Sequence, residues 1–167
     1  MNVARKISQI GILTSLAVVL AILEQYIPIH FILPLPGIKL GIANVVTLTV
    51  LKRIDLKCAL LVLLLRCSVV ALLFGTPVSF AMSLSGGLLS LIVMYFLLKN
   101  NKLFSIFGVS VAGAAGHNIG QVICAIFILR SVYVVAYLPI LLLSSFLTGT
   151  LIGILAAGCL KSLKKFS

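Results

Sequence analysis

Glu24 and Asp55 are the only carboxylates in 167 residues, against 13 lysines and arginines and two histidines. A magnesium diphosphate site of the kind prenyl synthases use needs paired Asp-rich motifs, and one aspartate does not make a pair. No serine or cysteine stands with a histidine and a carboxylate in a constellation suited to nucleophilic catalysis. Cys58, Cys67, Cys124 and Cys159 show no CxxC or Cys/His spacing and fall in or beside apolar stretches, as small core residues do. A metal site wants more than one suitably spaced histidine, and His30, in the loop at 28–39, is poorly placed to join His117. No catalytic or metal-ligating residue is assigned, and the chain is expected not to be an enzyme. The chemistry left to it is binding.

Polar residues inside apolar runs carry that expectation. An ionisable group at mid-bilayer costs roughly 2.5–3.5 kcal/mol on insertion, so each is a functional candidate. Arg66 sits in the middle of an apolar stretch, and His117, Asn118 and Gln121 lie at i, i+1 and i+4 of another. Counted by helical rise, Glu24, Gln25, Lys39, Asn44, Arg66, Ser83, Ser85, His117, Asn118, Gln121 and Arg130 all fit one half of a membrane protein. The ligand-binding candidates are Glu24, Lys39, Asn44, Arg66, Ser83, Ser85, His117, Asn118 and Gln121. Structural readings stand beside the functional one: an Arg66–Glu24 salt bridge, a polar clamp at His117 to Gln121, and a helix-packing notch at Ser83 to Gly87. Even with Glu24 neutralising one cation, Lys39, Arg66 and Arg130 leave the cavity net positive, which favours a phosphate, diphosphate or carboxylate.

The elements that must hold these residues are transmembrane helices. Hydrophobic residues form 62% of the chain and charged ones 9%, where soluble proteins average about 45–50% and 25%. No polar skin is available to wrap a soluble core. Spans are expected at 7–27, 40–51, 57–74, 78–98, 103–129 and 134–160, an all-α, integral membrane six-helix bundle in a single transmembrane domain, 1–167. The first run is too long for a signal peptide's apolar segment of about 7–15 residues, so a retained span is expected. The second has only about 18 Å of helical rise and needs tilt or help from the preceding loop. Ten basic residues fall on one side and two, Lys39 and Arg130, on the other, which puts both termini in the cytoplasm. Their grouping between apolar runs is that of cytoplasmic loops and not of a nucleic-acid patch, so no nucleic-acid partner is expected.

Small residues recur at four-residue spacing in the fifth span (Gly108, Ala112, Gly116, Gly120) and the sixth (Ser145, Gly149, Gly153, Ala157), where backbones are expected to approach closely. The first span adds Gly11, Ser15, Ala17 and Ala21, a face for this bundle or for a partner. Between the first two spans, PIHFILPLPGIK (28–39) reads as a constrained loop, either a spacer or an apolar cover in which Phe31, Ile32 and Leu33 close over a ligand.

Leu35-Pro-Gly-Ile-Lys-Leu-Gly-Ile-Ala-Asn-Val-Val-Thr-Leu48, Arg66 followed by Leu72-Leu-Phe-Gly75, Ser83-Leu-Ser-Gly-Gly87 and Gly113-Ala-Ala-Gly-His-Asn-Ile-Gly-Gln121 resemble the bacterial Gx transporter family, also labelled heptaprenyl diphosphate synthase component I. That family is similar in turn to the substrate-binding S components of energy-coupling factor (ECF) transporters. The resemblance implies a bacterial cell membrane protein with six helices and a pocket open to the outside beneath the loop after the first helix. It also implies an Ala-x-x-x-Ala face, matched by Ala17 and Ala21, that docks a coupling subunit driven by ATPases. Relatives look like parts of the machinery that passes electrons from quinone to extracellular flavin, so a bound flavin or quinone is the alternative expectation. A noncatalytic partner of a prenyl diphosphate synthase is a third.

Overall fold

The computed structural model describes residues 3–26, 39–99 and 104–165. Six α-helices follow in order: α1 (Val3–Gln25), α2 (Asn44–Arg53), α3 (Leu56–Phe74), α4 (Pro77–Lys99), α5 (Ile106–Leu129) and α6 (Leu138–Lys165), with a 3₁₀ segment, Val132–Tyr137, before the last. Their boundaries have local causes. Asp55 caps α3 by accepting from the Cys58 N–H at 2.7 Å, and Ser105 caps α5 by accepting from the Gly108 N–H at 3.2 Å. Gly75 and Pro77 separate α3 from α4, and Arg130 ends α5 in the left-handed conformation.

Among the described residues, five segments are long and apolar enough to cross a membrane: 4–25, 56–74, 77–99, 106–129 and 132–162. Their outward faces are aliphatic; on α1, Ile12, Leu16, Val19 and Leu23 are exposed at helical spacing while Leu13, Ala17, Ala21 and Glu24 are buried. Such surfaces suit lipid, where the helix interfaces and not the outer faces carry the small and polar residues. The protein is a multi-pass membrane bundle.

The second of the six expected spans is corrected. At 10 residues α2 rises about 15 Å, half of a bilayer core. It starts at Asn44 and not at Leu40 because Gly41, with φ of 79°, and the turn through Ala43 come first. The chain still traverses the bundle. Lys6 Nζ pairs with Asp55 Oδ2 at 2.7 Å at one end of α1, while Glu24 accepts from the Gly41 N–H at the other. Those α1 positions are about 27 Å apart, so α2 with its flanking turns covers that depth.

Packing explains why a helix with Asn, two Thr, Lys and Arg survives there. Neighbours touch in the order α1–α3–α4–α5–α6, and α2 contacts all five others. Every residue from Asn44 to Val50 is buried. The outer helices supply its environment in place of lipid.

The four-residue stripes pack inside the bundle. A Cβ on Gly120 would lie 2.6 Å from the Ser85 carbonyl oxygen and 2.8 Å from Gly86 Cα, and one on Gly149 would lie 2.5 Å from Val111 Cα. Those positions set the α4–α5 and α5–α6 crossings. Gly108 and Gly11 are exposed and touch no other helix closely. The residues of the expected docking face turn inward: Ala17 is fully buried against the α2 and α3 cluster around Val46, Val50 and Val62, and Ala21 packs with Ala43 and Val70. Neither alanine is presented to a partner in this structure.

Candidate functional site

Four helices and one turn converge where α1 ends. The inward stripe of α1 finishes at Glu24, that of α3 carries Arg66, and that of α5 carries His117 and Gln121. The turn before α2 brings in Lys39 and Gly41. Together with Ser83, Cys67 and the apolar residues Ala21, Val70, Ala71 and Phe80 they line a narrow pocket with about 400 Å³ of space counted to its open side.

Glycine at two positions makes room for the imidazole of His117. A Cβ on Gly41 would come within 2.9 Å of His117 Cδ2 and of Asn44 Nδ2, and one on Gly86 within 2.9 Å of His117 Cε1. The positive φ at Gly41 also disfavours other residues there. With its amide turned so that both ends are satisfied, Gln121 donates to the Lys39 carbonyl at 3.0 Å and accepts from the Lys39 N–H at 3.1 Å and His117 Nε2 at 3.3 Å. Glu24 holds the same turn through Gly41. The turn is thus tied to α1 and to α5 by buried polar groups.

The cations are less well matched. Arg66 is buried at 5% exposure, and among the described residues its guanidinium reaches the Cys67 sulfur at 4.0 Å. Glu24 feels both Arg66 and Lys39 electrostatically but forms a direct ion pair with neither, so the salt-bridge alternative is not what is seen. Burial pulls Lys39 below the ordinary lysine range, Glu24 opposes that shift, and Arg66 adds to it. Two formal positive charges face one negative. Ser83 Oγ, His117 Nδ1 and both amide atoms of Asn44 are buried without a partner, an unusual concentration around one pocket.

Of the nine residues expected to bind ligand, Glu24, Lys39, Arg66, Ser83 and His117 line this pocket, and Asn44 and Gln121 stand directly behind Gly41 and His117. Two are placed elsewhere. Ser85 donates to the Met82 and Gly120 carbonyls at 3.2 and 3.1 Å, because two residues beyond Ser83 is about 200° around a helix. Asn118 donates to Leu141 O at 2.8 Å and Ser145 Oγ at 2.9 Å, clamping α5 to α6. Gln25 and Arg130 are exposed at helix ends outside the pocket. Ser79, Cys67 and Phe80 were not anticipated; Ser79 lies one turn before Ser83 on the same face, a spacing the sequence displays. His30 and the apolar cover at Phe31, Ile32 and Leu33 fall outside the described residues.

Asp55 is remote from all of this. The two carboxylates, at opposite ends of α1, cannot hold the same cation. No group of three or more His, Cys, Asp or Glu side chains gathers among the described residues.

Residues 13–159 match the family model described as heptaprenyl diphosphate synthase component I. No curated protein and no solved structure matches the chain.

Proposed function

The chain belongs to the heptaprenyl diphosphate synthase component I family, and from that premise we propose that it is a membrane-embedded binding subunit, not a catalyst, that holds an anionic ligand for uptake in the manner of an ECF S component. The observation that carries this reading is Arg66: a guanidinium at 5% exposure, without a direct carboxylate partner, beside a second cation. A buried charge left uncompensated costs several kcal/mol. A bound phosphate or carboxylate supplies the missing charge, and arginine meets either one bidentately. The unpaired Ser83 hydroxyl and His117 Nδ1 supply directional contacts.

Basic side chains at the pocket-distal ends support an outward-opening site. Arg5, Lys6, Lys52, Arg53 and Lys57 cluster where α1 starts and α2 meets α3, and Lys99 joins them in a cleft with Lys52 and Asp55. By the positive-inside rule that end, with both termini, is cytoplasmic. The family description names a synthase component; two carboxylates at opposite ends of α1 fit a noncatalytic partner of such an enzyme better than its active subunit.

Native mass spectrometry of the purified protein for a retained ligand, followed by titration of wild type and Arg66→Lys, tests the reading. The variant loses about 1.5–3 kcal/mol, or about 10-fold to over 100-fold in affinity. Equal affinity in the two proteins removes Arg66 from the site and the reading with it.

A further inference from the structure

The charged pocket has a mostly apolar neighbour. A second recess, with about 710 Å³ of space counted to its open side, shares Ala71, Gly75 and Phe80 with the pocket and adds Ser68, Leu72 and Pro77. On α3 the boundary between interior and lipid runs between these residues. Arg66, Cys67 and Val70 are buried, Ala71 is half-buried, and Ser68 and Leu72 are exposed, Leu72 at 86%. The recess therefore begins on the bundle's outer face and ends at the wall of the charged site, with two small residues, Ala71 and Gly75, at the join.

We propose that the ligand is an anionic amphiphile with a flexible apolar chain, which enters from the bilayer between α3 and α4, head against Arg66 and Lys39 and chain along Ala71, Phe80 and Leu72. This rests on the anion-binding reading above. The shared wall of the two cavities selects the occupant: a small soluble anion occupies the charged pocket and leaves the recess beside it empty, whereas a chain that passes Ala71 and Gly75 covers that wall and merges with lipid. The geometry also gives the head and chain a fixed order, with the charge deepest and the tail toward the membrane. Each methylene removed from water contributes about 0.8 kcal/mol, close to fourfold in affinity.

The test titrates inorganic phosphate and the n-alkyl phosphates from methyl to hexyl against the full-length protein, Ser68→Phe, Ser68→Ala and Arg66→Gln. Partition of the probe into detergent is common to all four proteins, so their differences report the recess. Wild type and Ser68→Ala are expected to gain at least about tenfold from methyl to hexyl. Ser68→Phe, whose ring occupies the recess without touching the charged pocket, keeps its methyl phosphate affinity and loses that gain; thermal melts confirm that it is folded. Phosphate binding with no chain dependence in wild type overturns the lateral site and leaves the anion reading intact. A chain dependence unchanged in Ser68→Phe also overturns it. Affinity for every probe unaffected by Arg66→Gln overturns both.

Discussion

Glu24 joins two functions that pull in opposite directions, holding the turn at Gly41 and offsetting part of the charge of Arg66 and Lys39. Glu24→Gln keeps an oxygen to accept from Gly41 but removes the negative charge. Anion affinity is expected to rise while the ligand-free protein loses thermal stability, a divergence that paired titration and melting experiments read directly. Lys39 gives a pH dependence with a definite sign. Burial lowers its proton affinity from that of a free lysine, so anion binding is expected to weaken as pH rises through a window below the ordinary lysine range. Lys39→Met flattens that part of the profile, and a wild-type profile flat to pH 10 contradicts the assignment. Glu24, Lys39, Arg66, Ser83 and His117 were legible because polar groups in apolar runs are rare. Ser85 and Asn118 point away from the pocket, which was not legible because their polar neighbours in sequence, Ser83, His117 and Gln121, leave the rotation of α4 and α5 unfixed until the Gly86–Gly120 crossing sets it.

At the scale of elements, glycines of one stripe differ in what they face. Gly120→Ala sets a methyl against backbone atoms of Ser85 and Gly86 that have no freedom to move aside, and is expected to cost about 1–3 kcal/mol. Gly108→Ala meets nothing closer than Ser105 Oγ at 3.7 Å and is expected to be neutral or to stabilise by up to about 1 kcal/mol through helix propensity. Thermal unfolding of the two variants compares them; an equal effect excludes the crossing as the cause. At the opposite end, the Cys58 thiol, Lys6 and the Cys58 N–H hold the Asp55 carboxyl well below the usual carboxylate range. A depressed acid adds stability above its unfolded pKa, about 3.9, and loses it as pH falls toward the folded value. The melting difference between wild type and Asp55→Asn, which retains the cap, is therefore expected to be constant above about pH 5 and to close below about pH 4. It is small in size, since both partners are 39% exposed. Long helices were readable from hydropathy to within a few residues. The limits of α2 were not, because Gly41's left-handed turn and the burial of seven consecutive residues leave no periodicity to read.

For the molecule as a whole, the distribution of basic residues predicts that a reporter fused after Ser167 is cytoplasmic and a tag between Pro28 and Lys39 is extracytoplasmic. The opposite result at either position reverses the orientation of the pocket. The fate of α2 during synthesis follows from its burial. A helix with Asn, two Thr, Lys and Arg in ten residues and no lipid-facing side has little to gain from hydrocarbon. The insertion machinery, which sorts segments by their affinity for lipid, has no reason to release it sideways into the bilayer. Its place must be secured by helices made after it, since four of its five neighbours lie later in the chain. The pocket, whose turn is the leader of α2 and whose remaining walls come from α1, α3, α4 and α5, is thus completed by helices made after that turn.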